Sequence, residues 1–222
     1  MSIYALDDQG NRTKLKGSVP NDNTGEREDW YAEAVKTGRP TWSKIYQWQD
    51  KEDILSISFS YPVYDQKKQF LGVIGIDLIL SQISIFLRNL EVSRSSETFV
   101  MERNGLLVAN SSNEPLFRKV NNQIERLTAS ESTNLLIRST AEFLAERFGD
   151  LQKISTRQEV SFAIEGKRQF VQVTPWRDPD GLDWLIVVVI PEADFMGQIN
   201  TNNYTTIWLC LGALAIAFSS VS

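Results

Sequence analysis

The chain has no histidine and a single cysteine, Cys210, in 222 residues. Without histidine it lacks the commonest general base and the commonest zinc ligand. A Ser-His-Asp set cannot be assembled, and no Gly-rich phosphate loop or Cys/His cluster is present. Cys210 lies inside an uncharged C-terminal run, so the remainder is free of thiols and holds no disulfide. Excess positive charge is also missing. The formal net charge is −5, which leaves no strongly basic face to displace counterions from nucleic acid. Met1–Asp8 has neither a basic n-region nor a long apolar h-region, so it does not resemble a signal peptide. On that reading the chain either lacks its natural start or anchors through its tail. These absences argue against an enzyme, a metal site or a bound cofactor.

What is present is enough chain for one large core or two small ones. The run Thr205–Val221 carries no charge. It sits at the short limit for a spanning helix, which needs about 17–25 apolar residues. Tyr204 and Trp208 at its start suit a water–lipid boundary. The expectation is a C-terminal transmembrane helix over 203–222, with a buried core helix as the alternative.

Two units precede it, predicted over 1–92 and 93–198. In the first, residues 53–61 alternate apolar and small polar side chains at strand period, and Pro62 is expected to end that run. A turn at 64–68 leads to an apolar strand, Phe70–Leu78. Ile83, Phe86, Leu87 and Leu90 recur at helical spacing, predicting an amphipathic helix over 81–90 packed on the sheet. The second unit opens with a hairpin around Asn104-Gly105. A helix over 131–148 follows, stopped at Gly149 and capped by Ser132 and Thr133. Strands at 160–164, 169–173 and 184–190 complete it, and a short helix begins at Glu192. The fold class is α+β, with antiparallel sheets.

The segment Glu28–Trp48 holds Trp30, Tyr31, Trp42, Tyr46 and Trp48. Asp29 is the expected N-cap of a helix stopped at Gly38. Rings of this kind commonly fill cores. Five within so short a stretch, interleaved with polar residues, also suit the wall of a pocket. Asp77 interrupts the apolar strand near its end. A buried carboxylate costs several kcal/mol unless paired. It either caps the next helix or faces a ligand's ammonium group, with aromatic rings supplying cation–π contact. Tyr61 joins the candidate site residues.

Trp30-Tyr31, Gly38, Trp42-Ser43-x-x-Tyr46, Ser58-x-x-Tyr61-Pro62-Val63-Tyr64-Asp65 and Phe70–Leu78 occur in that order. With Phe99-Val100-x-Glu102-Arg103-Asn104-Gly105, the set resembles double-Cache sensor domains over about residues 3–200. The resemblance implies two stacked PAS-like modules on a long N-terminal helix, outside the cytoplasmic membrane. The membrane-distal module would hold a small-molecule ligand. A transmembrane helix would pass the signal to a kinase, cyclase, diguanylate cyclase or chemotaxis region. In amino-acid-binding members an Arg two residues before the Trp grips the ligand carboxylate; here that position is Glu28, and the nearest Arg is Arg27. An acidic residue often found two after the matched Tyr46 is Trp48, while the amine-binding Asp is retained as Asp77. The expectation is a periplasmic sensor in the cell membrane, binding a small amine-bearing or otherwise polar ligand through Trp30, Tyr31, Trp42, Tyr46, Trp48, Tyr61 and Asp77. A second copy of the chain is a candidate partner. The alternatives are a ligand-free dimerisation spacer and a hydrolase built on a carboxylate pair.

Overall fold

The computed structural model describes residues 2–9, 11–18, 28–48, 53–90, 92–121 and 123–195. The run at 205–221 lies outside them. Among the described residues no helix is long and apolar enough to cross a membrane. Contacts group the chain into two units, Met1–Leu78 and Ile79–Ser222.

In the first unit, β1 (Ser2–Leu6) and β2 (Arg12–Ser18) form an antiparallel hairpin. Its turn is held by the Asp7 carboxylate, which accepts from the Gln9 and Asn11 N–H groups at 3.0 and 2.8 Å. Helix α1 (Asp29–Thr37) is entered from Glu28, whose extended backbone makes it the N-cap. Asp29 therefore sits one residue inside the helix, where its charge still favours the positive end of the dipole. Gly38 closes α1 at φ 64°, its N–H donating to Ala34 O at 3.0 Å. Next come β3 (Thr41–Trp42), β4 (Tyr46–Gln47), β5 (Leu55–Tyr64) and β6 (Phe70–Ile79). Both short strands pair with β5, as Thr41↔Ser60 and Tyr46↔Ser56, and β6 pairs with β5 as well. β5 does not stop at Pro62. Pro62 lies beyond the Thr41↔Ser60 pair, so its missing N–H takes no bond from the β3 ladder.

In the second unit, α2 (Leu80–Asn89) follows β6 directly. It buries Leu80, Ser84 and Leu87 and packs on β7 (Glu97–Glu102) and β8 (Leu107–Asn110). Ser84 Oγ accepts from the Asn110 N–H at 3.2 Å. Its N-cap is Ile79, with no side-chain cap, so Asp77 does not cap this helix. A hairpin of β9 (Phe117–Val120) and β10 (Gln123–Arg126) leads to a 3-10 turn at Ala129–Glu131. Helix α3 (Leu135–Phe148) is capped by Asn134, whose Oδ1 accepts from Leu136 N–H and Ile137 N–H. Ser132 and Thr133, expected as caps, donate instead to Glu114. Then β11 (Gln158–Ile164), β12 (Lys167–Arg177) and β13 (Asp183–Pro191) complete an antiparallel sheet of order β11-β12-β13-β7-β8. Val171, Val173, Leu185, Val187 and Val189 alternate inward from β12 and β13. α3 lies against β7 and β13, and Phe143 stacks on Phe162 at 4.6 Å. Both units are α+β with antiparallel sheets. One helical turn at 192–195 follows β13.

Candidate functional site

The site is laid out by the alternation of β5. Ser56, Ser58 and Ser60 occupy one face and are wholly buried. Leu55, Ile57, Phe59 and Tyr61 occupy the other. Small hydroxyls at every second position leave room where larger side chains would fill the space.

Into that room come side chains from three other elements. Tyr46, on β4, pairs in register with Ser56, so its ring lies on the serine face. Its hydroxyl reaches Ser58 Oγ at 2.7 Å and donates to Asp77 Oδ1 at 2.8 Å. Ser58 Oγ donates to the same carboxylate oxygen. Trp30, near the start of α1, lies against Gly75 of β6. A Cβ at position 75 would stand 3.0 and 3.2 Å from indole carbons Cε3 and Cζ3, and 3.6 Å from Ser60 Oγ. Tyr31 meets Trp30 edge-on at 5.7 Å and Phe70 at 6.4 Å, and Phe70 meets Tyr64 at 5.8 Å.

A one-residue offset brings Asp77 to this face. Tyr64 meets Phe70 and Ser58 meets Asp77, two pairings that differ by one residue along β6. Gly72, at φ 154°, lies between them. One extra residue on a strand turns every later side chain over. Gly75 and Asp77 lie on the serine side yet are themselves exposed, as are Ile74 and Ile76 at 63% and 71%.

The Ser56 and Ser60 hydroxyls are buried with no hydrogen-bond partner among the described residues. A buried donor left unmade costs about 1–3 kcal/mol, so such groups call for water or a bound polar molecule. Burial lifts the Tyr46 phenol above its ordinary pKa, and the Asp77 carboxylate adds to that shift. Tyr46 therefore stays a neutral donor. No Lys or Arg among the described residues pairs with Asp77. Among the described residues the site presents the Asp77 carboxylate with no cation paired to it, and the Glu28 charge also bears on Tyr46, beside indole and phenol rings and buried serines.

Of the residues expected from sequence, the structure brings Trp30, Tyr31, Tyr46 and Asp77 together. Trp42 pairs in register with Phe59 and packs on its ring at 5.1 Å, on the face away from the serines. Tyr61, two residues on from Phe59, shares that face and is 55% exposed. Trp48 follows β4, its backbone N–H donating to Ile54 O at 3.0 Å. Ser56, Ser58, Ser60 and Gly75 were not anticipated. The signal of the serines lies in the alternation over residues 53–61, where serine recurs at every second position from Ser56 to Ser60.

Gly75→Ala should destabilise the first unit by about 1–3 kcal/mol, because the added methyl meets the indole before the van der Waals limit. Urea unfolding followed by tryptophan fluorescence measures it. Pairing it with Trp30→Leu should recover part of the loss.

A family model described as Cache domain matches residues 1–199. No curated protein matches the chain. Among solved structures, the ligand-binding domain of the Pseudomonas aeruginosa PAO1 amino acid chemoreceptor PctB in complex with L-Gln is similar at a TM-score of 0.51 and 17% identity, over 94% of this chain and 75% of that one. A methyl-accepting chemotaxis protein X gives 0.50 and 18%, over 86% and 63%. The extracellular domain of a protein named as the histidine kinase mmHK1S-Z3 gives 0.50 and 13%, over 80% and 58%. The chain thus spans less than two thirds of these last two relatives. At such identities the likeness establishes the fold.

Proposed function

This chain belongs to the Cache domain family, and we propose that it is the extracytoplasmic sensing part of a membrane receptor, binding a small amine-bearing molecule in its first unit. The observation that carries the reading is the Asp77 carboxylate, which accepts from Tyr46 and Ser58 and is paired with no cation among the described residues. Two neutral donors orient a carboxylate without neutralising it. An ammonium group supplies the missing charge, and the Trp30 and Tyr46 rings favour the same cation by their quadrupoles. Support for a sensor rather than another use of the fold comes from the company it keeps: similar domains belong to chemoreceptors and to a histidine kinase. The first unit is then the membrane-distal module and the second the membrane-proximal one. The uncharged run at 205–221 spans the bilayer and carries the signal inward.

Calorimetry tests this with a panel of primary amines, each paired with its N-acetylated isostere. The expected outcome is that at least one amine binds and its uncharged partner binds at least tenfold more weakly. Equal affinity within a pair would remove the counter-charge role of Asp77. A panel without any binder would overturn the amine reading.

A further inference from the structure

The turn at 192–195 is where the described chain leaves the second unit, and three side-chain contacts hold it. Two of them return to β12, the immediate neighbour of β13: Arg168 Nη1 lies 3.8 Å from Glu192 Oε1, and Phe195 meets Phe170 edge-on at 5.8 Å. The third goes elsewhere. The Asp194 carboxylate accepts from Ser93 Oγ at 2.6 Å, from the Ser95 N–H at 2.8 Å and from Ser95 Oγ at 2.5 Å. These serines lie about a hundred residues earlier, in the short loop between α2 and β7.

Within that loop Ser93 and Ser96 are tied to each other. The Ser93 N–H donates to Ser96 Oγ at 2.9 Å, Ser96 Oγ donates to Ser93 O at 3.0 Å, and the Ser96 N–H closes on Ser93 O at 3.4 Å. Its other end is α2, whose first residue, Leu80, stands three residues beyond Asp77 on an unbroken strand-to-helix path. Burial opposes ionisation of Asp194, but the hydrogen bonds from Ser93 and Ser95 outweigh it and hold the carboxyl below its ordinary range. The acceptor is therefore charged at neutral pH, and charge-assisted bonds are the stronger kind.

We propose that the Asp194–Ser93/Ser95 clamp is the coupling element of the chain: it ties the helix continuing from the ligand-bearing strand to the segment leaving the domain. Resting on the sensor reading above, it gives a shift of β6 a route to the exit turn through α2 and the loop at 93–96. Coupling of this kind needs an element that both ends bias, and the clamped loop is that element. Asp194 is a positioning residue; it lies outside the amine site.

Hydrogen–deuterium exchange on the whole chain tests it without requiring a ligand. Asp77→Asn serves as the perturbation at the site, in the natural background and in Asp194→Ala. Asp194→Ala alone should speed exchange of the Ser95 amide about tenfold, since that amide loses its acceptor. Asp77→Asn should change exchange in β6, in 93–96 and in 192–195 of the natural background. With Asp194→Ala the change should stop at the loop. Ser95→Ala, which deletes only the Oγ bond, should give the intermediate result and guards against a merely unfolded variant. If 192–195 responds equally in both backgrounds, or does not respond in the natural one, the clamp is not the coupling element. Amine affinity separates this from the sensor reading: Asp194→Ala should bind the calorimetric panel within about twofold of the natural chain, and a greater loss overturns the positioning role.

Discussion

Arg103→Ala should cost the second unit about 3–5 kcal/mol, the largest stability loss expected from any single truncation described here. The Arg103 side chain is almost wholly enclosed, and its Nε and Nη1 make hydrogen bonds while Nη2 stands beside Asp183 without one. Nε donates to Asp183 Oδ1 at 2.7 Å, and Nη2 lies 2.6 Å from the same oxygen. Nη1 donates to Leu151 O at 2.9 Å and Ile154 O at 2.8 Å. One side chain thus pins the end of β7, the start of β13 and the turn that follows α3. Truncation strands two carbonyl groups and removes one of two partners from Asp183, which keeps Arg177 at 3.0 Å. Arg103→Lys should recover less than half, because a single ammonium cannot serve three separated acceptors. Urea denaturation read by far-UV circular dichroism measures both variants.

The same cluster fixes a pH dependence. Burial opposes ionisation of Asp183, but the hydrogen bonds from Arg177 and Arg103 outweigh it, so its folded pKa lies below the ordinary value. A carboxyl lowered on folding adds stability at pH above its unfolded pKa, about 3.9, and loses it as the pH falls through the folded value. The gap between the natural chain and Arg103→Ala should therefore be full at neutral pH and shrink below about pH 4. A gap that is flat down to pH 2 would mean that packing, not the ion pair, carries the loss.

Local chemistry made some of this legible from sequence. A carboxylate inside an apolar strand stands out in the sequence, yet Asp77 is exposed, and one of its oxygens accepts from Tyr46 and Ser58. Gly38 and Gly149 read as helix stops because their backbones take φ 64° and 67°. Long-range choices were not legible. The spacing of Ile83, Phe86, Leu87 and Leu90 announces a helix but not its buried face: that face is Leu80, Ser84 and Leu87 against β7 and β8, and Phe86 and Leu90 are exposed. The face taken by Trp42 depends on its register with Phe59 across a two-residue strand, which no local spacing encodes. The serines escaped notice because a hydroxyl on a strand usually marks the solvent face. Here they are wholly buried, and only the structure shows what they line.

Asp77→Ala should weaken binding of the best amine in the panel about 10- to 100-fold, while leaving the first unit folded. The affinity estimate follows from the loss of a charged hydrogen bond, about 1.5–3 kcal/mol. It stays at that level because Asp77 is exposed, and a fully desolvated pair would cost more. The fold survives because Tyr46 OH and Ser58 Oγ remain within 2.7 Å of each other and keep a mutual hydrogen bond once their shared acceptor is gone. Asp77→Asn separates charge from shape. It preserves an acceptor for both hydroxyls but offers an ammonium no counter-charge, so its affinity should fall nearly as far as that of Asp77→Ala while its stability stays close to natural. Tyr46→Phe should lose less, about three- to tenfold, since it removes one orienting donor and leaves the charge and the ring. The ordering Ala ≈ Asn below Phe is the signature of a counter-charge site. If instead Asn binds like the natural chain and Phe does not, the phenol hydroxyl is the ligand's main contact, and the carboxylate serves only to aim it.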